Sequence, residues 1–274
     1  MAQLLPGLPW QFLALGLALC LMLSALGFKR VEYFVSLGYA SSIAAQAVMF
    51  PLLYRHTMGG AARFQSGLLL AYGLRLGIFI ALRERLPSFR QQRAENAVRG
   101  ARVGGPLRVA IWLGVSFFYL LLFVPALFTM SAQKDRVALA SLPAGLILMM
   151  AGLALETGAD WQKSRFKKQH PSRLCDVGLY SVVRFPNYLG EMVFWFGLWV
   201  SALSAYRTLP VWVFGSLGFL FIVLVMIGAG RRLELKQGKR YGCDAVYEAY
   251  SRRVPILFPL LPIYSLRRRK MEQT

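Results

Sequence analysis

The sequence has few of the residues on which most soluble catalytic sites depend. It contains two histidines, His56 and His170, and three cysteines, Cys20, Cys175 and Cys243. No CxxC pair and no HExxH motif occurs, so neither a zinc site nor a disulfide framework is indicated. Glycine-rich motifs of the GxGxxG and GxxxxGK[ST] types are also absent, which argues against a Rossmann or P-loop nucleotide site.

Acidic residues are scarce as well. The chain carries 12 Asp and Glu against 32 Lys and Arg, a formal net charge of +20, and only 16% of its residues are charged. Hydrophobic residues reach 57%, a larger share than soluble domains usually have. The basic residues lie between long apolar runs, whereas a nucleic-acid-binding domain would gather them in one region. The composition therefore predicts an all-α polytopic membrane protein and no nucleic-acid partner.

Seven apolar segments are long enough to cross a membrane as helices. They cover residues 9–28, 34–54, 66–82, 109–130, 137–155, 189–206 and 208–229. With these spans, Lys and Arg fall on alternate sides of the membrane in a ratio of 26 to 5. The positive-inside rule then predicts a cytoplasmic carboxyl terminus and an amino terminus that is outside or lumenal. The membrane itself would be a bacterial inner membrane or the endoplasmic reticulum.

Two basic segments are predicted on the cytoplasmic side. Residues 83–108 have the pattern of an amphipathic helix that ends at Gly104-Gly105-Pro106 and lies on an anionic leaflet. The terminal run 267–270 is interpreted as a membrane-surface tether or a topology signal. The anionic cytoplasmic leaflet of the bilayer is thus a predicted partner, whereas the sequence gives no indication of the oligomeric state.

Polar residues concentrate where the fifth predicted span ends. Glu156 and Asp160 are four residues apart and share a helix face, which Lys163 and Lys167 extend. Carboxylates on a spanning helix need partners. Two interpretations are open: a salt-bridge ladder through the two lysines, or a carboxylate pair that accepts hydrogen bonds from ribose hydroxyls or an amide, beside a basic group for phosphate.

A second polar group lies at the start of the sixth span. Pro186 suits the first turn of a helix, and Asn187 and Glu191 follow it four residues apart. The neighbouring polar side chains are those of Tyr180, Arg184 and Tyr188. This group predicts a polar pocket at the membrane boundary, although a carboxylate near a helix amino terminus also has a dipole explanation.

A third group follows the seventh span. Glu234 lies in the last predicted helical turns, and Tyr241, Tyr247 and Tyr250 lie on a predicted amphipathic helix. The alternative interpretation of these tyrosines is an aromatic belt on an interfacial helix.

The run DVGLYSVVRFPNYLGE at residues 176–191 is the most distinctive motif in the chain. This run resembles part of the carboxyl-terminal domain of steroid 5α-reductases. The resemblance continues through WFG, a further span, and the spaced residues EL, G, Y, Y, VP and FP that follow. The run is most similar to the bacterial-type branch with a GLWxYSRHPNYxGE signature. The resemblance covers about residues 150–262, which include the similar stretch ETGADWQ. It is weaker in the earlier part of the chain, where Tyr72-Gly-Leu-Arg75 resembles a Tyr-x-x-Arg pattern on an early span of the reductases.

The resemblance implies a seven-helix membrane reductase that uses NADPH. Its substrate would be a lipophilic small molecule, steroid-like or isoprenoid, with a carbon–carbon double bond conjugated to a carbonyl. Residues 1–149 would form the substrate-side transmembrane region, residues 150–262 the cofactor-binding domain, and residues 263–274 a basic cytoplasmic tail.

The resemblance also assigns roles to the polar groups. The implied cofactor-binding residues are Glu156, Asp160, Lys167, Tyr180, Arg184, Asn187, Glu191, Glu234 and Tyr247. Glu156 and Asp160 would meet the adenosine side and Lys167 the phosphates. Asn187 and Glu191 would hold the nicotinamide end.

On the substrate side, the resemblance implies that Tyr72 polarises the substrate carbonyl. Arg75 or an acid would orient its hydroxyl, and Glu32 is the candidate acid. A donor at the carbonyl oxygen stabilises the charge that develops in the transition state, which can contribute ~3–4 kcal/mol. No metal is implied.

Basic residues beside Asp160 favour NADPH over NADH, because Arg and Lys best bind a 2′-phosphate. They are Lys163, Arg165, Lys167, Lys168 and Arg173. The alternative is that this cluster only provides positive-inside charge.

Two other functions stay open. The motif is shared in part with isoprenylcysteine and phospholipid methyltransferases, which would bind S-adenosylmethionine at the same loops. Arg184-Phe185-Pro186 stands where the shared signature has Arg-His-Pro. That His would help a methyltransferase bind S-adenosylmethionine, and steroid 5α-reductases do not uniformly carry it, so its absence favours reduction over methylation. A scaffold or transporter would bind no nucleotide.

Overall fold

The computed structural model describes residues 8–85, 89–134 and 138–266, and this part of the chain is all-α. The predicted fold class is therefore confirmed. Short 3-10 turns lie at Ala25–Phe28, Val31–Val35 and Leu203–Ala205. The α-helices are α1 (Trp10–Ser24), α2 (Leu37–Leu53), α3 (Gly60–Arg85), α4 (Arg90–Ala101), α5 (Gly105–Lys134), α6 (Leu142–Gln169), α7 (Leu179–Val182), α8 (Pro186–Ser201), α9 (Leu209–Tyr241) and α10 (Ala245–Arg253). The predicted tether at 267–270 lies outside the described residues.

Seven helical segments are long and apolar enough to span a membrane, which confirms the predicted number. They are Trp10–Phe28, Val31–Leu53, Gly60–Arg85, Gly105–Gln133, Leu142–Gln169, Pro186–Ala205 and Leu209–Tyr241. The chain is therefore a multi-pass integral membrane protein. Several helices are longer than their apolar runs, because strong helix formers such as Glu, Lys and Gln continue the backbone hydrogen bonding beyond the last apolar residue.

The amphipathic helix predicted over residues 83–108 is shorter in the structure. α4 ends at Ala101, and Gly105 begins α5 rather than closing the helix before it. Pro106 then lies in the first turn of α5. Backbone N–H groups in a first turn have no acceptor within the helix, so the N–H that proline lacks costs no helical hydrogen bond. Tyr241 also differs from the prediction, because it ends α9 and lies before α10.

The chain divides into two compact units. The first comprises Met1–Leu146 and Leu198–Phe219, and the second comprises Ile147–Gly197 and Leu220–Thr274. This division describes how the chain packs, and the functional boundaries at residues 150 and 263 stay predictions.

In the first unit, α2 and α3 approach each other closely at Gly73. A Cβ atom on this glycine would lie 2.8 Å from the backbone nitrogen of Ala44 and 2.9 Å from the carbonyl oxygen of Ala40. Small residues at such a contact let two helix backbones pack directly against each other in a membrane. The contact places Tyr72, the residue before Gly73, beside Tyr39 of α2.

In the second unit, α6 and α8 meet in the same way. A Cβ atom on Gly190 would lie 2.6 Å from the backbone nitrogen of Glu156, and one on Gly152 would lie 2.7 Å from the carbonyl oxygen of Gly190. The close approach buries two acidic side chains, because Glu156 is 5% exposed and Glu191 is 9% exposed.

The segment after α10 packs against the turn that precedes α8. The backbone N–H groups of Arg184 and Phe185 donate to the carbonyl oxygens of Pro255 and Ile256, at 2.9 and 3.1 Å. α10 itself is capped by Asp244, whose carboxylate accepts from the backbone N–H of Val246 at 2.9 Å. These bonds fix the chain that leads into α8.

Candidate functional site

The loop between α6 and α7 is tied to α6 by one side-chain amide. Gln162 donates to the carbonyl oxygen of Val177 at 3.0 Å and accepts from the backbone N–H of Leu179 at 3.1 Å. Between them, Gly178 has φ = 57°, and a Cβ atom there would overlap the Gln162 side chain. A residue with a Cβ atom would be strained at this position, so the loop conformation requires glycine at residue 178.

A cationic cleft of about 140 Å³ lies beside this loop. Its described lining includes four basic residues and no carboxylate, and the basic residues are Lys163, Lys167, Lys236 and Arg240. Tyr180, Cys175 and Tyr241 also line it. The cleft is smaller than the ~300–1,000 Å³ of sites that enclose a whole small ligand, so it has room for one part of a ligand.

The two lysines from α6 have different surroundings. The Lys167 ammonium donates to the hydroxyl of Tyr241 at 2.9 Å and to the carbonyl oxygens of Pro171 and Arg173. Lys163 lies over the Tyr180 ring, with its Nζ 5.9 Å from the ring centroid. Lys167 thus holds the loop as well as contributing charge, a role that the predicted salt-bridge ladder does not include.

Arg184 and Glu234 form a buried ion pair. The two side chains are 1% and 4% exposed, and their nearest charged atoms are 3.2 Å apart. The Arg184 guanidinium also donates to the carbonyl oxygen of Tyr264 at 2.7 Å, and Glu234 accepts from the backbone N–H of Leu266 at 2.9 Å. The pair therefore holds the final described residues of the chain.

A cavity of about 350 Å³ opens beside this ion pair. Besides Arg184 and Glu234, its lining includes Tyr247, Glu248 and Arg252. The Tyr247 hydroxyl is buried and has no hydrogen-bond partner among the described residues. Three predicted cofactor residues are thus brought together here, away from the lining of the cationic cleft.

Burial controls the acidity of three groups around the loop. It raises the pKa of the Tyr180 hydroxyl and of the Tyr250 hydroxyl, which donates to the Tyr180 carbonyl oxygen at 2.7 Å. It also raises the pKa of the Cys175 thiol. All three groups therefore stay protonated at neutral pH, which argues against a thiolate nucleophile at Cys175.

The remaining predicted cofactor residues lie on α6 and α8. Asn187 is half-buried in the first turn of α8, one turn before the buried Glu191. Asp160 is half-buried on α6, one turn beyond the buried Glu156. The arrangement offers carboxylate and amide groups along the middle of α6 and at the start of α8, two spanning helices that touch at Gly190.

The predicted catalytic residues lie in the first unit. The hydroxyl oxygens of Tyr72 and Tyr39 are 2.9 Å apart, and Tyr72 is fully buried. The Arg75 guanidinium lies over the Tyr72 ring, 5.8 Å from its centroid. Glu32 pairs with Arg30 at 2.6 Å. The structure thus gives Tyr72 a tyrosine neighbour that the sequence prediction did not include.

A family model described as "Protein of unknown function (DUF1295)" matches residues 32–254. This match covers more than half of the chain. The chain belongs to the DUF1295 family. No curated protein and no solved structure matches the sequence. The DUF1295 match begins at Glu32 and includes every predicted site residue through Tyr247.

Three residues of the candidate sites in this DUF1295 chain were missed by sequence reasoning. Tyr39 lies seven residues after Glu32, but its contact with Tyr72 is made across 33 residues of sequence. Lys236 and Arg240 are one helical turn apart on α9 and face the cationic cleft. Their i, i+4 spacing was visible, but the stretch also matched ordinary positive-inside charge.

Proposed function

We propose that this chain is a membrane-embedded, NADPH-dependent reductase of a carbon–carbon double bond conjugated to a carbonyl in a lipophilic substrate. The observation that carries the proposal is the cationic cleft at Lys163, Lys167, Lys236 and Arg240. The tyrosine pair of the first unit and the carboxylates of α6 and α8 support it. The resemblance to steroid 5α-reductases supplies the reaction class.

The cleft fits a phosphate-bearing ligand in size and charge. Four basic side chains favour the phosphates of a dinucleotide, because cations stabilise an anion most where solvent is partly excluded. S-adenosylmethionine, in contrast, has no phosphate and carries a sulfonium cation, which these side chains would repel. The charge of the cleft therefore favours a reductase over a methyltransferase.

The amide and carboxylate of α8 suit a nicotinamide carboxamide. This group has an NH₂ that donates two hydrogen bonds and an oxygen that accepts. Glu191 can accept from the NH₂ and Asn187 can donate to the oxygen, since the two lie one helical turn apart. Glu191 is 9% exposed, and a hydrogen bond to a carboxylate is electrostatically stronger where water is largely excluded.

Tyr72 is the proposed hydrogen-bond donor to the substrate carbonyl oxygen. When bound, the reduced nicotinamide supplies a hydride to the β-carbon of the unsaturated carbonyl compound. Negative charge then develops on the substrate carbonyl oxygen, and the Tyr72 hydroxyl donates a hydrogen bond to that oxygen. In this role Tyr72 uses its one O–H for the substrate, so the Tyr39 hydroxyl donates to the Tyr72 oxygen at 2.9 Å and fixes its direction. Glu32, paired with Arg30, remains the predicted alternative for this orienting role.

The proposed orientation places the cationic cleft in the cytoplasm, where NADPH is available. The 26-to-5 distribution of basic residues puts the carboxyl terminus there and the amino terminus on the opposite side. Reporter fusions inserted within 131–136 and after Thr274 should report opposite sides of the membrane. Two reporters on one side would contradict the orientation.

Ligand-induced thermal stabilisation of detergent-purified protein tests the function. We expect NADPH to raise the melting temperature more than NADH does, and S-adenosylmethionine to have no effect. Lys236→Gln should reduce the NADPH effect, whereas Lys239→Gln, the matched control on an exposed position outside the cleft lining, should not. Glu191→Gln should weaken NADPH binding by ~1.5–3 kcal/mol, the range for a hydrogen bond to a charged group.

The possible results separate the alternatives. Stabilisation by S-adenosylmethionine alone would establish the methyltransferase alternative. Equal effects of NADPH and NADH would remove the 2′-phosphate assignment, and no effect of any nucleotide would favour a scaffold or transporter. Mass spectrometry of small molecules released from the purified protein gives an independent identification.

A further inference from the structure

A cationic cavity lies in the first unit, where α4 meets the turn between the first two spans. It has a volume of about 230 Å³, and its charged lining residues are Lys29, Arg30, Glu32 and Arg108. Three cations therefore face one carboxylate. The cavity belongs to the first unit and shares no lining residue with the cationic cleft. Among its lining residues, the proposed reductase function uses Glu32 as the alternative orienting acid for Tyr72 and uses none of the three cations.

The two arginines of the cavity are held in place by protein groups. Arg30 pairs with Glu32 at 2.6 Å and donates to the Tyr33 hydroxyl at 3.1 Å. Arg108 donates to the carbonyl oxygens of Val103 and Gly100, at 2.9 and 3.1 Å. The Arg108 side chain of α5 is thereby held against the end of α4. Glu32 offsets only one of the three positive charges. The cavity is preorganised for an anion.

A second cavity of about 290 Å³ shares Val31, Glu32 and Gly100 with the first. Its lining combines the apolar side chains of Val31, Val35, Val103 and Ile111 with the polar side chains of Glu32, Asn96 and Arg99. Val35 is 62% exposed, although it is a large apolar residue. A cationic space and apolar side chains thus adjoin, a combination that suits an amphiphile with an anionic head.

The position of the cavities along the spans matches the depth of lipid headgroups. Lys29 and Arg30 lie between the spans Trp10–Phe28 and Val31–Leu53, and Arg108 lies in the first turn of the span that begins at Gly105. Basic side chains at the ends of spanning helices are within reach of lipid phosphates.

We propose that these two cavities form a binding site for one anionic phospholipid. Its phosphate lies among Lys29, Arg30 and Arg108, and the start of an acyl chain follows Val31 and Val35. The net positive charge of the first cavity selects an anionic over a zwitterionic headgroup. The apolar side chains of the second cavity select a lipid over a water-soluble phosphate ester.

Native mass spectrometry of the full chain in detergent tests this site. The probes are dioleoylphosphatidylglycerol, dioleoylphosphatidylcholine and glycerol 3-phosphate, each added to wild type, Lys29→Gln and Arg102→Gln. Lys29 is exposed, so its substitution should leave the fold intact. Arg102 is an exposed basic residue of the same region that lines neither cavity, so it is the matched control.

We expect wild type and Arg102→Gln to retain the phosphatidylglycerol and Lys29→Gln to bind it about fivefold more weakly, the factor for one basic side chain near an anionic lipid. Phosphatidylcholine should be retained less in all three proteins. Equal retention in all three, or equal loss in both variants, would overturn the site. Displacement of the lipid by glycerol 3-phosphate would show a soluble phosphate ester as the occupant and overturn the lipid assignment.

Discussion

Arg184 and Glu234 are 50 residues apart in the sequence, yet their charged atoms lie 3.2 Å apart in the interior of the second unit. Arg184 comes from the turn before α8 and Glu234 from α9. Each also binds a backbone group of the final described segment, so the pair joins three parts of the chain. Loss of either partner would leave a buried charge without compensation.

We therefore expect Glu234→Gln and Arg184→Met each to destabilise the protein by ~3–5 kcal/mol, the usual cost of breaking a buried ion pair. The double variant should lose less than the sum of the two. Glu248→Gln is the matched control, because its pair with Arg252 at 2.9 Å is exposed and should contribute at most ~1 kcal/mol. Denaturant unfolding in detergent measures all four variants, and strict additivity of the two buried substitutions would contradict the coupling.

Gly178→Ala should destabilise the protein by ~1–3 kcal/mol, because the residue has φ = 57° and a Cβ atom would overlap Gln162. The loop beside the cationic cleft should loosen, and limited proteolysis should cut between α6 and α7 sooner. Gly158→Ala on α6 is the control with the opposite expected sign. Its nearest neighbour is a Leu179 side-chain atom 3.8 Å from the new Cβ, so it should gain up to ~1 kcal/mol from helix propensity. A stable, protease-resistant Gly178→Ala variant would refute the loop assignment.

Tyr72→Phe should lower kcat of the proposed reduction by about 10²–10³-fold, the usual effect of removing one donor at a developing oxyanion. Stabilisation by NADPH should stay unchanged, since Tyr72 has no proposed contact with the cofactor. Tyr39→Phe should reduce kcat less, because Tyr39 acts through Tyr72. Tyr206→Phe is the control, because its hydroxyl donates to a backbone carbonyl oxygen, that of Gly215, at 3.5 Å and has no proposed role in the reaction. Full activity of Tyr72→Phe would remove this residue from the catalytic set.

Stability should fall at alkaline pH because of the tyrosines around the loop. The folded state keeps protons on Tyr180 and Tyr250 above their ordinary pKa of 10.0, whereas the unfolded chain releases them there. The stabilising contribution is therefore complete below pH 10 and declines as the pH rises further. Thermal unfolding at pH 8 and above pH 10 measures the loss. At pH 8, Tyr250→Phe should be less stable than wild type by ~1 kcal/mol, because the hydrogen bond to the Tyr180 carbonyl oxygen is lost. Between pH 8 and the alkaline condition, however, the stability of the variant should decrease less than that of wild type. An equal decrease in stability of wild type and variant would show that Tyr250 does not contribute to the pH dependence.

Local properties of the sequence were enough to predict the fold class and the seven spans. Length and apolarity of a segment decide whether it can cross a membrane, and both can be counted along the chain. The start of α8 at Pro186 was also predictable, because proline fixes a backbone angle that suits a first helical turn. The helix ends that lie beyond the apolar runs could not be predicted in this way. Hydropathy measures how favourably a segment enters the bilayer, and it does not measure backbone hydrogen bonding.

The cofactor, the reaction and the orientation of the termini remain predictions from motif and charge. The structure adds which of the named residues share a site. It places Lys163 and Lys167 in one cleft with Lys236 and Arg240.

The partnerships of side chains were decided by tertiary structure alone. Tyr39 meets Tyr72 because Gly73 lets α2 and α3 touch, and Arg184 meets Glu234 because the segment after α10 holds the turn before α8. Hydropathy and helix propensity act between residues close in sequence, so they fix which segments are helices. The faces that two helices turn toward each other depend on packing between residues far apart in sequence, and no local pattern specifies that contact.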